Sequence, residues 1–157
     1  MTPEQHKAIL ENEFAIYKSE VISAIEPKLH ILLVHLYIEH LLERFLAANL
    51  KKTDGLFGKN GLTFDKKVLL VEAMGGLNAQ CVDGIKKLNA IRNNCVHTFK
   101  HNPTKGEIEE FGRTLGKAYT DMKQKNENDP DRCMRDACAR LCGRFLRAVV
   151  NAEHKDT

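Results

Sequence analysis

The stretch LHILLVHLYIEHLLERFL, residues 29–46, decides the fold of this chain. Its apolar residues cover most sides of a helix, so the segment needs apolar neighbours almost all round. A membrane span of about 20 residues carries almost no charge. This stretch contains six polar or charged side chains of three types: His30, His35, His40, Glu39, Glu43 and Arg44. It therefore predicts the buried central helix of a soluble domain, with no membrane as a partner.

Five further helical segments flank this central helix, and no segment alternates apolar and polar residues for long. Capping residues and breaks place the six helices after Thr2-Pro3, over 28–50, after Thr63, over 78–99, after Thr104 and after Asp129. The first should bury Leu10, Phe14, Tyr17, Val21 and Ile25. The fifth should bury Ile108, Phe111, Leu115, Tyr119 and Met122. The pattern predicts an all-α bundle of about five to six helices.

The composition fits one domain over residues 1–157. A chain of 157 residues with 43% hydrophobic and 29% charged residues is neither disordered nor of low complexity. The first residues are polar and acidic, unlike a secretion signal. The five cysteines are an odd number without a zinc-knuckle spacing, which predicts reduced, packed thiols and no metal site. We therefore expect a cytoplasmic protein.

The formal net charge of +3 points to no partner by itself, but its distribution is uneven. No acidic residue lies between Asp83 and Glu107. This stretch carries seven basic or titratable side chains: Lys86, Lys87, Arg92, His97, Lys100, His101 and Lys105. Such a concentration can attract phosphates, although a solvated surface explains it equally well.

The fourth helix carries Arg92 in the middle of an apolar stripe. Six residues form the rest of that stripe: Cys81, Ile85, Leu88, Cys95, Val96 and Phe99. An arginine at such a position needs a carboxylate, a cleft or a subunit interface. Asn93 and His97 are four residues apart and share an adjacent face. From spacing alone, a structural ion pair between Arg92 and Glu39, with a surface His97, stays open.

The stretch LNAIRNNCVHTF, residues 88–99, resembles the signature of the HEPN superfamily of helical domains. That signature is an arginine, a polar residue, a few variable residues and a histidine, here Arg92-Asn93-x-x-x-His97. An apolar helix with the internal acid Glu39 precedes it, as in the family. The layout is similar to the mannitol-operon repressor-like branch.

This resemblance implies an up-down helical core that dimerises with its motif helices facing each other. Many members are endoribonucleases that need no metal or other cofactor, and some are toxins or phage-defence effectors. The family pattern makes Arg92, Asn93 and His97 the catalytic residues. Glu39 would pair with Arg92. Four lysines, Lys86, Lys87, Lys100 and Lys105, would guide the RNA.

The chemistry of such a site follows from its side chains. Histidine suits proton transfer near neutral pH, and a guanidinium fork stabilises charge on phosphoryl oxygens. A two-fold dimer would bring two copies of Arg92 and His97 into one cleft. A catalytically inactive regulatory or interaction module, such as a transcriptional regulator or one partner of a toxin–antitoxin pair, is the alternative. A helical bundle unrelated to HEPN proteins is the third possibility.

The last predicted helix carries a row of arginines on one side: Arg132, Arg140, Arg144 and Arg147. A solvated face is the more common role of such a row, and an extended RNA surface is the other.

Overall fold

The computed structural model describes residues 1–22 and 26–155, and within them the chain forms seven α-helices and no β-strand. The helices are α1 (Pro3–Tyr17), α2 (Pro27–Asn49), α3 (Phe64–Ala73), α4 (Ala79–His97), α5 (Lys105–Arg113), α6 (Lys117–Lys125) and α7 (Pro130–Glu153). A π-helical turn, Lys18–Ile22, continues α1. The predicted all-α bundle is confirmed.

Helix α2 lies at the centre, as its sequence predicts. It packs against α3, α4 and α7 and buries residues on most of its circumference. Helix α7 runs parallel to it, because His30 lies near Arg135 and Arg44 pairs with Glu153 near the end of each helix. Helix α4 runs antiparallel to α2, since Lys28 at the start of α2 acts on Cys95 near the end of α4, while His35 contacts the earlier Asn89.

Three predicted helix starts carry the expected caps. Thr2 and Thr104 each form a capping box, in which the side chain three residues later returns a hydrogen bond to the cap backbone. The carboxylate of Asp129 accepts two backbone hydrogen bonds at the start of α7. These bonds satisfy amide groups that the helices themselves leave without partners.

The predicted fifth helix is two helices, which is why the structure has seven helices and the prediction has six. The backbone leaves α5 after Arg113 and restarts at Lys117, and Gly116 between them has φ +61°. Only glycine adopts this left-handed conformation without strain. Four of the five side chains predicted to be inside are buried, namely Ile108, Phe111, Leu115 and Tyr119, and Met122 is partly buried. The break therefore changes the direction of the chain and preserves its buried face.

The fourth helix ends at His97, two residues earlier than expected. Val96 and Phe99, predicted to continue its apolar stripe, are 48% and 90% exposed. The stripe is buried only as far as Cys95. In the first helix, Tyr17 and Val21 are buried as expected, Leu10 and Phe14 are only partly buried, and Ile25 lies outside the described residues.

All five cysteines are free and buried, in agreement with their predicted packing role. Among the described helices, none is both long enough and apolar enough to cross a membrane.

Two glycines provide a matched test of this packing. A Cβ on Gly112 would lie 2.2 Å from the ring of Tyr119, whereas a Cβ on Gly143 would meet nothing within 4 Å. We expect Gly112→Ala to lower the free energy of unfolding by about 1–3 kcal/mol through overpacking. Gly143→Ala should raise it by about 0.5–1 kcal/mol, because alanine stiffens the unfolded chain. Urea denaturation of both variants measures this, and equal effects would contradict the packing described.

Candidate functional site

The three motif residues lie in the last two turns of α4. Arg92 and Asn93 are half-buried, and His97 is exposed in the final turn. His97 makes no hydrogen bond or ion pair with any described residue. Five residues rotate a helix by about 140°, so Arg92 and His97 leave the helix in different directions.

The side chain of Asn93 links Arg92 to the helix face that carries His97. The guanidinium of Arg92 donates from Nη1 to Asn93 Oδ1 at 3.0 Å. Asn93 lies four residues before His97, which places both on nearly the same face of α4. The hydrogen bond therefore turns the arginine head group toward the side of the helix that carries His97.

Arg92 also lies beside a chain of polar side chains that links α2, α3 and α4 and runs from the buried His35 to the exposed Asp65. His35 is buried against the ring of Phe64, with 4.1 Å between ring centroids. Its Nε2 lies 3.0 Å from Asn89 Oδ1, and Asn89 Nδ2 donates to Asp65 Oδ1. Burial lowers the pKa of His35, and the positive charge of Arg92 lowers this pKa further. A neutral His35 can therefore remain next to Arg92.

The prediction of an ion pair between Glu39 and Arg92 is wrong. Glu39 instead accepts a hydrogen bond from Lys67 Nζ at 2.7 Å, and Glu43 accepts a second one at 2.6 Å. The Lys67 side chain is only 3% exposed, so the two carboxylates are the partners that make its burial tolerable. The acid in the central helix has a structural partner on α3, and Arg92 keeps its charge for other contacts.

Lys67 was missed by the analysis of the sequence, although a signal for it exists. On a helical projection it falls between Val71 and Met74, on the apolar side of α3 that Phe64 and Val68 continue. Burial alone would lower the pKa of Lys67, but the hydrogen bonds from its ammonium to Glu39 and Glu43 outweigh burial and raise this pKa above its ordinary 10.5. The folded state therefore favours the charged lysine.

The four predicted RNA-binding lysines do not form one free positive surface. Lys86 pairs with Glu72 at 3.6 Å, and Lys87 pairs with Glu110 at 2.8 Å. Lys100 lies over the exposed ring of Phe99, and Lys105 is exposed at the start of α5. The stretch without acids in the sequence therefore meets acids from α3 and α5 in space.

Glu107 places a further acidic side chain near the motif end of α4. It accepts hydrogen bonds from Asn94 and from Thr104, and it pairs with His101 at 3.1 Å. Burial opposes ionisation, but these hydrogen bonds and the nearby imidazole lower the pKa of Glu107. A charged carboxylate therefore lies one helix away from the motif.

Exposed apolar side chains surround the motif. Val96 on α4 and Phe99 just beyond its end flank His97. Leu29 and Leu36 are exposed seven residues apart on one side of α2. The start of α2 lies beside the end of α4, where the charge of Lys28 acts on the Cys95 thiol.

Among the described residues, no three His, Cys, Asp or Glu side chains lie close enough together to hold a metal ion. A scan against protein-family models finds no match, and searches of curated proteins and of solved structures find no similar protein either.

The Lys67 cluster has a measurable consequence. Lys67→Met keeps most of the buried stem and removes the charge, leaving Glu39 and Glu43 facing each other. We expect a loss of about 2 kcal/mol in unfolding free energy at pH 7, below the roughly 3–5 kcal/mol of a fully buried pair, because both carboxylates remain partly exposed.

The pH dependence of this loss follows from the raised pKa of Lys67. The stabilisation that Lys67 provides is complete below pH 10.5, the ordinary pKa of lysine. It disappears as the pH rises through the higher pKa that Lys67 has in the folded state. Denaturant unfolding of wild type and variant from pH 7 to 11.5 measures it. The control is Lys66→Met, at the exposed neighbouring position. A loss that is the same in both variants would contradict the role given to Lys67.

Proposed function

We propose that this protein is a metal-independent endoribonuclease of the HEPN type, acting as a toxin or phage-defence effector. The observation that carries the proposal is the group at the end of α4, where the guanidinium of Arg92 turns onto Asn93 beside the exposed His97. An arginine fork and an accessible imidazole are the two groups that phosphodiester cleavage without a metal requires.

The reaction would use the 2′-hydroxyl of the RNA as nucleophile. A base removes its proton while its oxygen attacks phosphorus, the bond from phosphorus to the 5′-oxygen breaks, and an acid protonates that oxygen. The products are a 2′,3′-cyclic phosphate and a 5′-hydroxyl. His97 would transfer a proton, Arg92 would stabilise the charge on the phosphoryl oxygens, and Asn93 would hold the guanidinium in position.

A homodimer would supply the second base or acid. The exposed Val96 and Phe99 next to His97 support such a dimer, because apolar side chains exposed at a helix end are typical of a surface that another subunit covers. In a two-fold arrangement the two motif helices would meet near these residues, and each protomer would contribute one Arg92 and one His97.

A second candidate is a non-catalytic HEPN-like module that regulates transcription or binds an antitoxin or regulatory protein. The ion pairs of Lys86 and Lys87 favour this second candidate, because they neutralise two of the four lysines expected to contact RNA. The cleavage experiment below separates the two candidates.

RNA cleavage tests the proposal directly. We expect the wild type to cut RNA in excess chelator and to leave 2′,3′-cyclic phosphate ends. His97→Ala should lower the cleavage rate about 10²- to 10⁴-fold, the usual contribution of a general acid or base. Arg92→Ala should cause a loss of similar size, since it removes a charge-stabilising donor.

The control is His40→Ala, at an exposed histidine on α2 outside the motif. It should cut like the wild type. Cleavage that survives in His97→Ala, or no cleavage by a folded wild-type dimer, would refute the nuclease and leave the regulatory module.

The dimer is tested separately by sedimentation equilibrium. We expect a dimeric wild type and a monomeric Phe99→Asp, because a carboxylate at the centre of the interface would be buried without a partner. Ile16→Asp, at an exposed apolar position on α1, is the matched control and should remain dimeric. A monomeric wild type would contradict the shared cleft.

A further inference from the structure

Helix α7 carries an arginine face that the motif does not use. Five of the eight arginines in the chain lie on α7, which contains no lysine. Arg140, Arg144 and Arg147 fall within about 60° of one another around the helix axis. We refer to these three residues as the arginine face. Arg132, predicted to share this row, lies near the start of α7 and pairs with Asp129.

The arginine face borders an open groove between α1 and α7. The groove has a volume of about 680 Å³, and Leu10, Phe14 and Leu146 line it together with the three arginines. Arg144 and Arg147 also border a second depression, of about 340 Å³, beside the first turn of α4. Arg144 and Arg147 thus lie on the border that the two depressions share.

The charge of the arginine face is not neutralised within the described part of the chain. No described carboxylate lies within 4 Å of Arg140, Arg144 or Arg147. Arg144 donates to the neutral side chain of Gln80 at 3.4 Å. Two acids lie nearby, and each has another partner: Glu11 is 3.8 Å from Lys7, and Asp136 accepts from Asn126.

This arrangement differs from that of three other basic side chains of the molecule. Lys67, Lys87 and Arg44 all form ion pairs with carboxylates at 2.9 Å or less. Three guanidiniums without such partners repel one another, and an anion that bridges them removes that repulsion. The arginine face is therefore suited to a ligand with several negative charges in a row.

We propose that the arginine face binds the phosphate backbone of single-stranded RNA. Guanidiniums match phosphate oxygens in a two-pronged hydrogen-bonding geometry, and an apolar groove with an aromatic ring can receive an unstacked base. Phe14 supplies that ring. The choice of RNA rests on the proposed function, while the location of the site rests on the arginines alone.

The experiment measures RNA affinity by fluorescence anisotropy, with a fluorescein-labelled oligouridylate of about 20 nucleotides. The protein carries His97→Ala throughout, so that the probe stays intact. We expect Arg140→Gln/Arg147→Gln to bind about tenfold more weakly near 0.1 M salt. The slope of log affinity against log salt should fall by about 1.4, since each lost phosphate contact on a single strand removes about 0.7.

The charge-matched control is Lys59→Gln/Arg132→Gln, which removes two positive charges at exposed positions outside the groove. It should keep the affinity and slope of the parent. Equal losses in both double variants, or no loss in the arginine variant, would overturn the proposal.

Labelled polyglutamate serves as a second probe in the same titrations. If the arginine substitutions weaken only polyglutamate binding and leave RNA binding unchanged, the groove accepts an acidic peptide and the RNA proposal is wrong. RNA binding that depends on the arginines, in a protein without cleavage activity, would support RNA binding at the arginine face and would refute only the proposed nuclease activity.

Discussion

The bundle depends on covering α2 on almost all of its sides. A helix with apolar residues around most of its circumference exposes a large hydrophobic area unless several helices enclose it. Helices α3, α4 and α7 do this. The same enclosure makes the charge of Glu39 costly to bury, and Lys67 lies within hydrogen-bonding distance of both Glu39 and Glu43. The cation on α3 thereby fixes how that helix sits against the centre of the fold.

Local signals were predictable from the sequence, and tertiary partners were not. The caps at Thr2, Thr104 and Asp129 act within a few residues, so the sequence contains all that they need. The break at Gly116 was missed because helical spacing of apolar residues continues across it. The partner of Glu39 depends on which helices meet, and the sequence offers many basic residues to choose from.

The distribution of charge along the sequence likewise differs from its distribution in the folded structure. The stretch between Asp83 and Glu107 contains no acid, yet Lys86 and Lys87 lie against Glu72 and Glu110 from neighbouring helices. Helix α7 contains acids of its own, yet its arginine face meets no described carboxylate within 4 Å. Local composition therefore does not show which basic side chains have a carboxylate partner, because electrostatic interactions depend on distance through space and not on distance along the chain.

Helix α4 connects the two surfaces that we assign to RNA. Arg144 touches Gln80 in the first turn of α4, and His97 lies in its last turn. The seventeen residue steps from Gln80 to His97 span about 25 Å of helix. One nucleotide cannot reach both ends of α4. An RNA strand bound at the arginine face would therefore place a different segment of the same strand, several nucleotides away, at the motif. Binding and cleavage would then be contributed by different parts of one RNA. This separation gives a physical reason for cations far from the motif, since Lys86 and Lys87 on α4 are engaged with carboxylates.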